Sequence, residues 1–265
     1  MAPWWCGRRP ALGGRAGDIV KARQARADGA SLGAVDTQRG FHALLWAAEM
    51  GRLEMAKYLI DEGIAVDEPS AVKGKFCGMT ALMRACSNGH VSLLNMLLVR
   101  GADATLVNAA GGNPLGAAAA FGDKDAVLAL LAHGVDVNSP SRTRNNTALS
   151  YAASRGNAAV VMVLCDRSAD VNLPNNEGES PLMRAAAKGH TPVVTALCDH
   201  SADINLQQMG GKTALMLAFR APHDSEQIVA ELLSRGADLQ LMDESGCQAI
   251  HYSIYRDGCP DCIPV

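Results

Sequence analysis

Gly178-Glu179-Ser180-Pro181-Leu182-Met183-Arg184-Ala185-Ala186-Ala187-Lys188-Gly189-His190 runs directly into Thr191-Pro192-Val193-Val194-Thr195-Ala196-Leu197-Cys198-Asp199-His200-Ser201-Ala202-Asp203-Ile204-Asn205. Two short apolar segments are punctuated here by a single glycine. Ser180 can accept backbone N–H bonds as an N-cap, and Pro181 fits the first helical position, where no N–H partner is needed. Ala185 and Ala186 let a second helix approach closely, and Gly189 ends the first helix by allowing a left-handed backbone. The stretch therefore reads as helix, tight turn, helix, and then a small residue and an aspartate.

Working outward, the opening phrase recurs as Gly78-Met79-Thr80-Ala81-Leu82, Asn145-Asn146-Thr147-Ala148-Leu149 and Gly211-Lys212-Thr213-Ala214-Leu215. Looser forms stand at Gly40-Phe41-His42-Ala43-Leu44, Gly111-Gly112-Asn113-Pro114-Leu115 and Gly246-Cys247-Gln248-Ala249-Ile250. The last apolar residues, 44, 82, 115, 149, 182, 215 and 250, are spaced by 38, 33, 34, 33, 33 and 35. A fixed period of this length marks stacked structural units. The first residue of the phrase is Gly in six units and Asn145 in the seventh, and Asn is the side chain that best tolerates positive φ. The second helix carries a wide apolar stripe, as at Val91, Leu94, Leu97 and Leu98 or Val160, Val161, Val163 and Leu164. One unit cannot bury that stripe alone, so the units must stack into a solenoid with local contacts.

These residues resemble the ankyrin repeat. Thr80-Ala81-Leu82-Met83-Arg84-Ala85-Cys86-Ser87-Asn88-Gly89-His90, with Leu97-Leu98-Val99-Arg100-Gly101-Ala102-Asp103 behind it, carries the likeness, which recurs seven times between residues 36 and 258. The resemblance implies an all-α solenoid of helix-turn-helix units joined by β-hairpin-like turns. It divides the chain into an N-terminal extension over 1–16, expected to be disordered, a repeat domain over 17–258, and a tail over 259–265. Within the domain come a half repeat (17–35), repeats over 36–67, 75–107, 108–141, 142–174, 175–207 and 208–242, and a partial repeat over 243–258, whose helix is expected from His251 to Arg256. The half repeat's first helix would fall in residues 10–16, which are too few for a standard unit, so a divergent or shortened cap is expected. Two departures stand out: a lengthened loop through Pro69 to Lys75, and Pro222 to Gln227 in place of the sixth tight turn. Inserted loops in solenoids are commonly surface projections.

Composition agrees with a folded repeat domain. The 265 residues are 48% apolar and 4% aromatic, ample for a core, with a formal charge of −3. Residues 1–30 hold six basic and two acidic side chains, so the remainder carries −7 and argues against nucleic-acid binding. The longest uncharged stretch, residues 104–122, is broken by Gly, Asn and Pro, and no membrane span is expected. The basic start lacks an apolar signal core, while its prolines and paired glycines spoil an amphipathic transit helix. The eight cysteines read as free thiols in a reducing compartment, giving a cytoplasmic or nuclear protein.

Catalytic and ligand-binding readings are weak throughout. Gly210-Gly211-Lys212-Thr213 echoes a phosphate-binding loop, yet Leu206 stands where the first glycine is required. His90 and His190 lie three repeats apart and cannot meet; the resemblance assigns them hydrogen bonds within the turn. Cys247, His251, Cys259 and Cys262 form C-x3-H-x7-C-x2-C, residue types that zinc accepts. Cys247 sits at a variable turn position and His251 at the family's habitual histidine, so zinc and free thiols both stay open and no metal is assigned. Cys165 and Cys198 behave as small hydrophobes on successive second helices, beyond disulfide reach. No catalytic residues, cofactor or metal are expected, and the chain reads as a non-enzyme.

A likeness to ankyrin repeats implies a protein partner on a concave face of turn tips and first helices. Carried onto this sequence, the contact positions are Phe41, Met50, Met79, Asn88, Phe121, Arg144, Asn146, Arg155, Glu179, Lys188, Lys212 and Arg220, with Glu49 beside them. Repeats one to three are apolar or neutral there, and repeats four to six are basic. This gradient suits a partner with an apolar segment followed by an acidic one. Arg84 and Arg184 lie inside first helices and read as lining charges. Asn138, Asn172 and Asn205 are similar to the asparagines hydroxylated in ankyrin hairpins. The function expected is a monomeric, non-enzymatic interaction scaffold or adaptor. The alternative is the recognition region of a larger enzyme, channel or ubiquitin-ligase substrate receptor.

Overall fold

A computed structural model describes residues 19–29, 31, 33–36, 39–71, 77–223 and 225–254. They group into two compact units: residues up to 118 with 125–135, and residues 119–124 with 136 onward. In the first unit lie α1 (Ile19–Ala27), α2 (Ala43–Glu49), α3 (Leu53–Asp61), α4 (Ala81–Ser87) and α5 (Val91–Val99). α6 (Pro114–Phe121) and α7 (Lys124–Ala132) are divided between the units. The second unit contains α8 (Ala148–Arg155), α9 (Ala158–Asp166), α10 (Pro181–Lys188), α11 (Thr191–Asp199), α12 (Ala214–Ala218), α13 (Ser225–Ser234) and α14 (Ala249–Ile254). Each unit is thus an all-α stack of helix pairs, as the resemblance to ankyrin repeats implies, and among the described residues the only bridge outside helices pairs Met242 with Gln248.

Stacking follows the repeat within each unit. First helices pack on first helices, α2 on α4 and α8 on α10 on α12, while second helices line up as α3 on α5 and α9 on α11 on α13. Leu44, Leu82, Leu115, Leu149, Leu182 and Leu215 are all buried, as is the alanine three places behind each. Hydroxyl side chains start four helices: Thr80, Thr147, Ser180 and Thr213 accept from the N–H of Met83, Ser150, Met183 and Met216. Asn113 accepts from Gly116 N in the same way, at 2.7 Å. His42 holds this position in the first repeat without capping it. Its Nε2 donates to Glu68 O at 2.9 Å, and its buried Nδ1 has no partner among the described residues. Burial lowers the pKa of His42, and likewise that of His90.

Between helix pairs the chain forms β-hairpin-like turns. Ser70 N bonds Met79 O, Ser141 N bonds Asn146 O, and Asn175 N bonds Glu179 O. Successive hairpins are tied edge to edge, Asn176 N to Arg144 O and Met209 N to Glu177 O, so a backbone donor that the turn itself does not use finds its partner one repeat away. Gly178 shows how tight this ladder is: its φ is +77°, and a Cβ there would lie 2.6 Å from Met209 N. Asn145, with φ 56°, takes the left-handed conformation in its repeat. Ser168 and Ser201 also have positive φ, at a position that the repeat pattern marks only as a small residue.

A second ladder joins the loops after the second helices. Asp203 N donates to Asn172 Oδ1 at 2.8 Å, Asp170 N to Asn138 Oδ1 at 2.8 Å, and Asp238 N to Asn205 Oδ1 at 2.8 Å. Each asparagine is steadied by its own repeat, for Asn172 N donates to Asp170 Oδ1. Asp67 performs the same service for Asp103 N in the first unit.

Several expectations fall outside the described residues: the extension and tail (1–16 and 259–265), the half repeat's first helix, and most of the loop after Ala71. The rebuilt sixth turn shortens α12 and buries Ala221, where the three preceding repeats expose a side chain. The last helix spans Ala249–Ile254, starting two residues before the expected His251, because Gln248 N already donates to His251 Nδ1 within the helix start.

Leu182 is 1% exposed, so Leu182→Ala should cost about 2–5 kcal/mol in denaturant unfolding, with neighbouring repeats loosened as well. Asn172→Ala removes the acceptor of Asp203 N–H and should cost about 0.5–1.5 kcal/mol, with faster amide exchange at Asp203. The folded His42 and His90 rings resist a proton that the unfolded chain accepts near an ordinary histidine pKa. The unfolded state then binds more protons below that point, and stability falls as pH decreases. Urea unfolding should show a lower midpoint at about pH 5.5 than at about pH 7.5, and His42→Gln should flatten the difference.

Candidate functional site

The twelve candidate contact residues divide by how much of each side chain the fold consumes. In the first unit Phe41 is fully buried. Its ring meets Trp46 edge to face at a centroid distance of 5.7 Å, with the guanidiniums of Arg39 and Arg84 over it at 5.9 and 5.5 Å. Glu49 draws these groups together. Its carboxylate pairs with Arg39 at 3.1 Å, pairs with Arg84, and accepts from Asn88 Nδ2 at 3.3 Å. Arg84 has its pKa lowered by burial and by the neighbouring Arg39 charge. Asp36 accepts from Phe41 N and from Trp46 Nε1, completing a closed polar and aromatic cluster.

This corrects the expectation for Phe41 and Met79. Phe41 is core, and Met79 is buried with its Sδ accepting from Asn108 Nδ2. Their hairpins need an inward side chain to fill the space against the first helix. Asn88 is half-buried and engaged with Glu49 and Arg84 O. Met50, 47% exposed, is the one of these residues in the first unit whose side chain is open to solvent.

The second unit differs. Asn146 is again a correction: it is 3% exposed, and its Oδ1 accepts from Asn175 Nδ2 at 3.3 Å. Glu179 is half-buried, held by Arg184 at 3.0 Å and by Asn175 Nδ2 at 3.0 Å. Arg184 also donates from Nε to Ser150 O, so it lines the stack as expected. Lys212 lies over the Tyr252 ring, 5.6 Å from its centroid. Tyr252 in turn donates to Asp243 Oδ2, and burial with that carboxylate raises its pKa. Arg144, Arg155, Lys188 and Arg220 are exposed. Arg144, Arg155 and Lys188 have no ion pair among the described residues, in contrast with the neutralised Arg84 and Arg184. Phe121 is 53% exposed.

The helix ends carrying these side chains are locked from repeat to repeat. His190 Nε2 donates to Ser154 O at 3.2 Å, and its ring fills the space beside Gly156, where a Cβ would lie 2.8–3.1 Å from ring atoms. Asn157 does the same one repeat earlier, donating from Nδ2 to Ala119 O at 2.8 Å and Ala120 O at 3.2 Å. His90 bonds Glu49 O at 3.2 Å in the first unit. The histidines therefore cap the preceding repeat's helix, which replaces the expectation of bonds within their own turn. The last carbonyls of a helix outnumber the donors its turn supplies, so an outside donor satisfies one of them.

The remaining candidates are chemically quiet. Burial and Asp166 push the Cys165 thiol up to about 11, and burial raises Cys198, so both stay protonated near neutral pH. Among the described residues no group of His, Cys, Asp and Glu is arranged to hold a metal, and no helix is long and apolar enough to cross a membrane. Cys259 and Cys262 lie outside the described residues. Asn138, Asn172 and Asn205 each spend Oδ1 on the next repeat's backbone.

The ankyrin-repeats family model matches residues 16–108, 68–141 and 115–208, and the single ankyrin-repeat model matches 210–244. The zebrafish (Danio rerio) palmitoyltransferase ZDHHC17 is 31% identical over 173 residues, covering 52% of this chain and 27% of that protein. The Drosophila melanogaster ankyrin repeat and KH domain-containing protein mask is 38% identical over 104 residues, covering 39% of this chain and 3% of that protein. This chain thus spans a small part of the length of either relative. The solved ankyrin repeat domain of human ASB11 superposes with a TM-score of 0.69 at 24% identity, covering 83% of this chain and 93% of that one, a likeness of fold. With matched segments running across nearly the whole described chain, the protein belongs to the ankyrin-repeat family.

Proposed function

We propose that this ankyrin-repeat protein is a non-enzymatic scaffold or adaptor that holds a protein partner against the basic side of its second unit. The observation that carries this reading is the contrast between two kinds of cation. Arg84 and Arg184 are spent on internal carboxylates, whereas Arg155 and Lys188 end successive first helices exposed and without an ion pair among the described residues. Charges left unneutralised at equivalent places attract and orient an acidic partner more than they stabilise the fold. Arg144 and Arg220 extend the basic surface, and exposed Phe121 supplies an apolar contact beside it. The adaptor acts as a monomer in the reducing cytoplasm or nucleus, in keeping with its free cysteines Cys77, Cys165 and Cys198.

A second reading is that these repeats are the recognition region of a larger protein. It is favoured by the match to palmitoyltransferase ZDHHC17, in which the similar stretch is 27% of the length. Both readings place partner binding on the same residues.

Affinity capture from the native lysate with the wild-type chain and with an Arg155→Glu, Lys188→Glu, Arg220→Glu variant tests the basic surface. Partners held by the first and lost by the second, with unchanged helical circular dichroism, are the expected result. Identical captures would overturn the proposal.

A further inference from the structure

The exposed residues on the second unit form a row with a defined repeat. Phe121, Arg155 and Lys188 are the last residues of α6, α8 and α10, and each stands six places after its repeat's buried leucine, Leu115, Leu149 or Leu182. The Asn157 lock ties the end carrying Phe121 to the start of α9, just behind Arg155. The His190 lock ties the α8 end to the start of α11, two residues after Lys188. The helix ends carrying the three side chains therefore stand one stacked-helix spacing apart, about 8–10 Å, in the order apolar, cationic, cationic.

That spacing discriminates between partner conformations. In a β-strand, residues on one face recur about every 6.6 Å, which falls out of step by the second repeat. In an α-helix the side chains of one face recur every 5.4 Å, and only about every seventh residue returns near 10 Å, so a row of three needs four turns. A polyproline II segment has three residues per turn at about 3.1 Å each, placing every third side chain on one face about 9.3 Å apart. It meets one repeat per turn, and it keeps its backbone polar groups in water, which suits an open surface.

Building on the basic-surface reading above, we infer that Phe121, Arg155 and Lys188 form a track for a polyproline II segment of a partner protein, with an apolar residue followed by acidic residues at the third and sixth positions after it. Charge complementarity selects the acids, because neither cation has an internal counter-ion among the described residues. Arg220 lies one residue out of register, since the rebuilt turn places buried Ala221 at the equivalent position, so the track ends after Lys188.

The test is fluorescence anisotropy at low salt with the full chain and labelled peptides of equal length and charge. One carries Leu and two Glu at every third position of a proline-rich frame, accompanied by its reversed sequence; a second has the same residues at every other position; a third is helical with acids seven apart. The expected result is at least about tenfold tighter binding of a third-position peptide, with a loss of about tenfold for Arg155→Gln and for Lys188→Gln and a smaller loss for Phe121→Ser. These exposed substitutions are checked by thermal unfolding. Equal binding of all acidic peptides, abolished by Arg155→Glu with Lys188→Glu, would overturn the polyproline track and leave the basic-surface reading standing. Preference for the helical or alternate-position peptide would do the same. Failure of every acidic peptide to bind would overturn both.

Discussion

Each repeat depends on a face it cannot cover by itself. The second helices carry apolar stripes wide enough for two neighbours, and Leu164, Leu197 and their equivalents lose water only when another repeat stacks against them. Contacts therefore run between nearest neighbours in sequence, α8 to α10 and α9 to α11, and the period of about thirty-three residues follows from the length of chain needed to go up, back and across. The aliphatic core sets the stacking without settling register, because apolar packing is not directional.

Register comes from three polar ladders laid over that core. Hairpin backbones pair edge to edge, Asn138, Asn172 and Asn205 reach forward to the next loop, and His90, Asn157 and His190 reach back to the preceding helix end. Each ladder satisfies backbone groups that helix ends and turns would otherwise leave open. The same bonds make the surface periodic, since a lock that spaces two helix ends also spaces the side chains standing on them. In the proposed function, recognition is thus a property of repeat geometry decorated by a few unspent charges.

Much of this was legible beforehand. The glycine at the turn, the Ser or Thr cap, the paired alanines and the recurring leucine each have one physical use, so their recurrence named the helices and the family. Harder to read were residues whose role depends on a neighbour distant in sequence. Phe41 and Asn146 occupy the same place in the phrase as Lys212, yet two are buried and one is half-open, because Trp46 and Asn175 happen to face the first two. A signal for Phe41 existed in Trp46 five residues later, in a chain with only 4% aromatic residues. Nothing local distinguishes Glu49, clamped by Arg39 and Arg84 from two different repeats, from a solvated helix-end carboxylate.

By itself the sequence determined the repeat, its handful of capping and turn positions, the apolar face of every helix and the basic bias of the later repeats. These are written in spacing and residue type and need only the nearest few residues to be understood. Tertiary structure decided which charges are spent and which remain available, that the histidines serve the preceding repeat, and that Phe121, Arg155 and Lys188 stand in one row. Those facts depend on residues about thirty-three positions apart being brought into contact, and a side chain's exposure and partners exist only after stacking has chosen its neighbours.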